Sequence, residues 1–233
     1  MTYIHLPIAP SRITPDGEIL NSRVRIGTEI GRGRNGIAHT GVLNGERVCL
    51  KTYRPNLVDL IRSNPAKIEL HRLLRARKEL PEIADSLQAP IGWYRDSLAG
   101  PVLVTRLVRD HNGAPSNNLE NTPRISPSYY GLLESVFGTL SEKKILYNPV
   151  PANILVQCTS ATESRPVLID LTNYESYAHY SAKRIAHLFS IATKEIHIST
   201  WLKATLASAK EKVSGSSHVS YETLKFPPRD SRN

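Results

Sequence analysis

The densest run of chemistry-bearing residues is Gly31-Arg32-Gly33-Arg34-Asn35-Gly36-Ile37. Glycines let a backbone come close to phosphate oxygens, and successive N–H groups can then point at one anion. A dinucleotide-binding turn of this type would open a helix. Here a hairpin follows instead: Ile37–Leu43, then Asn44-Gly45, then Arg47–Tyr53. Asn-Gly accepts the positive φ angles of a type I′ turn, which suits a two-residue hairpin loop. The context predicts that Gly31, Gly33 and Gly36 cover a phosphate chain, against the plainer alternative of a surface turn.

Two charged residues are spaced to work with that hairpin. Lys51 closes the apolar stretch Val48-Cys49-Leu50, fifteen residues after Gly36, so its ammonium can reach phosphate oxygens under the turn. A lysine in such a place needs a carboxylate to hold it. Glu69, eighteen residues on, shares a helical face with Leu73 and is the expected partner, with a solvated glutamate as the alternative. Glu79, near the helix end, is a poorer candidate. Asp170 ends the apolar run Val167-Leu168-Ile169, where a carboxylate is costly unless a cation meets it.

The elements that must position these groups are legible from periodicity. Val24–Ile30, Ile37–Leu43 and Arg47–Tyr53 read as strands. Pro65 starts a helix running to about Leu80, with Leu70, Leu73 and Leu74 as its stripe. Pro90–Tyr94 and Pro101–Val108 read as further strands. Asp110–Pro127 reads as a connecting loop, and Ser126-Pro127 as the start of a helix burying Leu132, Leu133, Val136 and Leu140. Ile154–Gln157 and Pro166–Asp170 follow as short strands. A helical region spans about Ser181 to Lys212, with Ile185, Leu188, Phe189 and Ala192 on one face. The order predicts an α+β chain: a loose arm over 1–22, a sheet-rich lobe over 23–108, a helix-rich lobe over 109–213, and a disordered tail over 214–233.

Composition narrows the function classes. The chain has 233 residues, a 40% hydrophobic fraction and a 22% charged fraction, enough for one domain of two lobes or two very small domains. No window reaches 18 consecutive apolar residues, and the N-terminus lacks a basic-then-apolar secretory pattern. Cys49 and Cys158 are the only cysteines, which argues against a disulfide scaffold or zinc site and for a cytoplasmic protein. The net charge of +9 invites a nucleic-acid reading, but the basic residues are spread along the chain without interleaved aromatics. Nucleic acid is therefore not the expected partner. His111 beside Asp110 reads as a loop anchor before an acid/base pair, and His187 and Trp201 as packing residues.

The order and spacing of these pieces resemble the protein-kinase superfamily. Val48-Cys49-Leu50-Lys51 is similar to its V-A-I-K strand, and the stretch Leu146 to Val156 aligns without gaps with the H-R-D-L-x-x-x-N catalytic loop. Asn153 then falls on the metal-binding Asn, and Asp170 on the magnesium-binding Asp of D-F-G. Residues 104–119, with Pro90-Ile91-Gly92-Trp93-Tyr94 and Pro151-Ala152-Asn153-Ile154-Leu155, look like the YrbL family of bacterial kinase-like proteins, over roughly residues 27–190. The resemblance implies a bilobal fold with a small antiparallel-sheet N-lobe and a reduced helical C-lobe. It also implies ATP and Mg²⁺ as ligands and a protein or small-molecule hydroxyl as phosphate acceptor. Departures from the pattern limit the activity. Asn148 occupies the catalytic-base position, Asp170-Leu171-Thr172 replaces D-F-G, and no Ala-Pro-Glu follows. A positioned base contributes about 10²–10⁴-fold, so Asn148 predicts weak transfer with nucleotide binding retained.

Overall fold

The computed structural model describes residues 12–20, 23–33, 36–53, 64–143, 145–146, 150–170, 175–176 and 202–214. The fold is mixed α+β with antiparallel sheets and few helices. Arg12–Ile13 (β1) pairs with Ile19–Leu20 (β2). The main sheet contains Val24–Arg32 (β3), Gly36–Leu43 (β4), Glu46–Tyr53 (β5), Pro90–Asp96 (β6) and Gly100–Arg106 (β7), in the order β3-β4-β5-β7-β6. All its pairings are antiparallel. Asn44 and Gly45 take φ of +52° and +94°, the geometry expected of this dipeptide at the β4–β5 turn.

Strand alternation gives this sheet two buried faces. Val48, Leu50, Val102 and Val104 point to one side, where they pack with Ile19, Leu43 and Tyr94. Cys49, Lys51, Leu103 and Thr105 fall on the other. That second side carries helix α1, Pro65–Glu79, capped by the Asn64 side chain, which accepts from Lys67 N at 3.1 Å. Ala66, Leu70, Leu73 and Ala76 form its buried stripe. Leu74, expected in the stripe, is 50% exposed, because its position is offset by one residue from the buried face.

Residues 12–20 are not the loose arm that their prolines and glycine suggest. Trp93 N donates to Gly17 O at 2.9 Å and the Trp93 indole N–H to Asp16 O at 3.2 Å. The Asp16 carboxylate accepts from Thr14 and from Lys67 Nζ, the latter at 2.9 Å, which ties the segment to α1 and holds its pKa down at about 2. Buried Ile19 supplies the apolar anchor, and Gly92 is required beneath it, since a Cβ there would stand 2.7 Å from Gly17 O.

A smaller sheet follows, in the order β11-β10-β8: Asn117–Asn118 (β8), Ile154–Cys158 (β10) and Ser164–Leu168 (β11). Ile145–Leu146 (β9) pairs with Glu175–Ser176 (β12). The connector 110–127 thus contributes a strand, stitched further by Leu119 N to Ile154 O at 2.7 Å. Helix α2, Pro127–Glu142, starts at the Ser126 cap and buries Tyr129, Leu133, Val136, Phe137 and Leu140. Leu132 is 48% exposed, so Tyr129 and Phe137 take the place that the sequence reading gave it. Residues 202–214 form α3, whose Leu202 and Ala209 join the core shared with α1 and α2. Ile185, His187, Leu188, Phe189, Ala192 and Trp201 lie outside the described residues. Among those described, no helix is long and apolar enough to cross a membrane.

The two sheets are joined where the two-turn 3₁₀ segment Pro81–Ser86 delivers Leu87 and Gln88 alongside β11. Gln88 N donates to Leu168 O at 3.0 Å. Leu73, fully buried at the α1 interface, should cost about 2–5 kcal/mol when cut to Ala. Leu74→Ala should stay within about 0.5 kcal/mol. Urea unfolding of the two variants checks which leucine carries the stripe.

Candidate functional site

A buried carboxylate organises the site. Glu69 is 1% exposed, and its oxygens receive three hydrogen bonds from two groups. Lys51 Nζ lies 2.8 Å from Oε1 and 2.7 Å from Oε2, and the Tyr53 hydroxyl donates to Oε2 at 2.8 Å. The same ammonium reaches Asp170 Oδ1 at 3.2 Å and stands 5.4 Å from the Tyr53 ring centroid. Strand β5 puts Lys51 and Tyr53 on one face by its two-residue period, and α1 aims Glu69 at them from its buried stripe. Glu79 instead accepts from Arg75 on the exposed side of α1, at 2.6 Å.

The electrostatics follow from this crowding. Burial alone would lower the Lys51 pKa, but the Glu69 and Asp170 charges outweigh it, so the ammonium holds its proton above the usual lysine range. Burial, and then the Glu69 charge, push the Tyr53 hydroxyl well above the usual tyrosine value. Burial also raises the Cys49 thiol, which keeps it a packing residue rather than a nucleophile.

Asp170 reaches the cluster through the backbone. Strand β11 ends at Leu168, two residues short of the expected boundary, and Ile169 N then donates to Asn153 O at 2.9 Å. Asp170 is held at φ +58°, a left-handed conformation that Asp tolerates better than most side chains. This turn carries its carboxylate off the small sheet and toward β5.

These residues border one cleft of about 650 Å³ between the two sheets. Gly31, Gly33 and Gly36 lie along its glycine-hairpin side, while Asn153 and Asp170 lie along the opposite wall. Ala38, Leu103 and Leu107 give it an apolar part, and Gln88 donates to the buried Thr105 hydroxyl beside it at 2.8 Å. The three glycines are not equivalent. A Cβ on Gly36 would meet Thr52 O at 2.2 Å, so the hairpin requires glycine there, and Gly33 N closes the turn on Gly36 O at 2.9 Å. Gly31 has open space around its absent side chain.

Asn148, expected beside a substrate hydroxyl, lies outside the described residues, as do Arg34 and Asn35 of the glycine turn. Asp110 anchors its loop, accepting from Ser116 Oγ at 2.6 Å and Cys158 N at 2.9 Å. The sequence reading missed four contributors. Tyr53 was visible, since it stands two residues from Lys51 on the same strand face. Thr105 and Gln88 come together only through the sheet. Lys212 of α3 is the least local: its Nζ donates to Leu119 O, Glu120 O and Thr122 O at 2.6, 3.1 and 2.6 Å. That clamp fixes the loop whose Glu120 and Asn121 border the cleft, and burial lowers the Lys212 pKa against the opposing Glu120 charge.

Asp170 and Asn153 offer hard oxygen donors, which suit magnesium rather than zinc or copper. Among the described residues no three His, Cys, Asp or Glu side chains converge as a metal cage. A site with one carboxylate and one amide fits an ion that takes its remaining ligands from phosphate and water. No protein-family model matches the chain, and no curated protein matches it.

Gly36→Ala should destabilise the fold by roughly 1–3 kcal/mol, and Gly31→Ala should leave it within about 0.5 kcal/mol, as read by urea unfolding. A pH series tests the buried cluster. Lys51 and Tyr53 both hold their protons more tightly when folded, so their stabilisation is complete below about pH 10 and falls away above it. Tyr53→Phe should cost roughly 1.5–3 kcal/mol at pH 7. It should also flatten the alkaline loss by up to about 1.4 kcal/mol per pH unit. An unchanged alkaline slope would show that the hydroxyl is not held in this way.

Proposed function

We propose that this chain is a kinase-like protein that binds ATP with Mg²⁺ in the cleft between its two sheets. The observation that carries the reading is the meeting of Lys51, Glu69 and Asp170 at 2.7–3.2 Å beside a glycine hairpin. Three segments far apart in sequence put a held cation and two acids against one phosphate-sized space. The antiparallel sheet with α1 serves as the small lobe, and β8, β10, β11 and α2 belong to the reduced second lobe. This arrangement supports the likeness to YrbL-type kinase-like proteins.

The roles follow from chemistry. The turn at Gly31, Gly33 and Gly36 covers the phosphates and donates to their oxygens from backbone N–H groups other than that of Gly33, which already bonds Gly36 O, with no side chain at 31 or 33 to keep the phosphates apart. Lys51 binds the α- and β-phosphate oxygens, and Glu69 with Tyr53 fixes the ammonium so that little conformational freedom is lost on binding. The adenine ring fits the apolar part at Ala38, Leu103 and Leu107. Magnesium, held by Asp170 and Asn153, supplies charge neutralisation for the phosphates. As ATP enters, Lys51 keeps Glu69 and exchanges its Asp170 contact for phosphate oxygens.

Whether phosphate moves onward turns on position 148. An amide does not take a proton from a hydroxyl as a carboxylate does, so Asn148 favours slow transfer to a protein or small-molecule hydroxyl. The same residue supports a second reading, a pseudokinase whose nucleotide state regulates a partner. The setting consistent with both is the bacterial cytoplasm.

Mg-ATP at 100 times its dissociation constant should stabilise the wild type by about 2.7 kcal/mol. That is a rise in Tm of roughly 5–10 °C for a chain of this size. Lys51→Ala should lose most of the rise. An equal rise in both proteins, or none in the wild type, would sink the proposal. With γ-labelled ATP, label transfer abolished by Asp170→Ala selects the enzyme, and binding without transfer selects the regulatory module.

A further inference from the structure

A second hollow, of about 560 Å³, lies behind the segment that borders the cleft, and its chemistry is different. Arg77, Arg106, Arg109, Arg165 and His111 line it, against the acids Asp85 and Asp110. Four guanidinium groups and two carboxylates leave it with a charge of +2 when His111 is neutral. One of the two acids is already engaged, since Asp110 Oδ1 accepts from Ser116 and from Cys158 N.

The arginines are held by a rigid frame. Arg106 ends β7, with its N–H on Ala89 O at 2.8 Å. The Gln157 amide donates to the main-chain Arg109 O at 2.8 Å and accepts from Arg165 Nε at 2.7 Å, so one β10 side chain orients the Arg165 guanidinium and fixes the backbone that carries Arg109. His111 N donates to Cys158 O at 2.8 Å. Arg77 is partly committed, capping Ala84 O and Leu87 O. Among the described residues, the Arg106 and Arg109 guanidinium groups and the His111 ring have no hydrogen-bond or carboxylate partner (Arg109 contributes only its carbonyl).

Like charges gathered in one concavity repel one another, and among the described residues no hydrogen bond or ion pair of the fold occupies the Arg106 and Arg109 guanidinium groups. Planar guanidinium forks match the oxygens of a phosphate in paired hydrogen bonds, which a single hydrated ammonium does not. We infer that this hollow is an anion site for a phosphate group, built from Arg106, Arg109, His111 and Arg165. Its place gives it a consequence for the cleft. Leu107 and Val108 border both spaces, so a phosphate drawing Arg106 and Arg109 together acts on the backbone that forms the cleft's edge. The site itself does not depend on what the cleft binds.

The test uses the full chain with two probes, inorganic phosphate and O-phosphoserine, each titrated against sodium chloride at matched ionic strength. Thermal stability and ³¹P line width are the readouts. Saturable stabilisation and line broadening are expected, with at least tenfold weaker binding in the Arg106→Ala/Arg109→Ala double variant. Arg165→Lys, which keeps the charge and loses the fork, should weaken binding. The double variant should keep whatever Mg-ATP response the wild type shows, which separates this hollow from the cleft. Tighter binding of phosphoserine marks a phosphate monoester as the ligand, and tighter binding of inorganic phosphate marks the free ion. A response equalled by chloride, or one that survives intact in the double variant, overturns the inference.

Discussion

A carboxylate that is fully enclosed has to be met by positive charge or by donors, and Glu69 is enclosed. Lys51 and Tyr53 meet it, and that single requirement links the main sheet to α1. Much of the remaining architecture serves to keep the three groups in register. The Asn64 cap and Pro65 set where α1 begins, and the stripe from Ala66 to Ala76 sets which way it faces. Asp170 joins from the second sheet as a further acid on the same ammonium. The cluster is therefore both a structural joint and the most concentrated charge in the cleft. Replacing it by apolar residues would keep a core and lose the only reason for the lysine to point inward.

The two-residue period of the strands separates structural from chemical duties. Leu50 and Lys51 are neighbours in sequence, yet one packs into the apolar layer under residues 12–20 while the other faces the cleft. Val104 and Thr105 divide in the same way on β7. A one-residue slip of either strand would bury the lysine among aliphatic side chains and expose leucine to the ligand space. The β5–β7 pairing, which sets Lys51 opposite Leu103, thus fixes chemistry and core together.

Much of this was legible in the residues. Asn44-Gly45 announced its hairpin, Ser126-Pro127 its helix, and the interval from Lys51 to Glu69 its ion pair, because each rests on local geometry with few alternatives. What escaped depended on distant partners. The segment 12–20 has the composition of a loop, and only the open backbone at Gly92 and the Trp93 indole make a seat for it. Leu74 and Leu132 look like core residues by type and sit one position away from the buried faces. The end of β11 at Leu168, rather than Asp170, follows from Asn153 O capturing Ile169 N. No pattern within a single strand could reveal that bond.

The lysine that holds the 119–122 loop sits 93 residues further along the chain than the first carbonyl it binds. During synthesis, which runs from the N-terminus, the strands of the main sheet and the Lys51–Glu69 pair are complete long before position 212 leaves the ribosome. The loop acquires its anchor only when the last described helix is made. A nascent chain can thus complete its glycine hairpin and its buried ion pair while one border of the cleft is still unpinned.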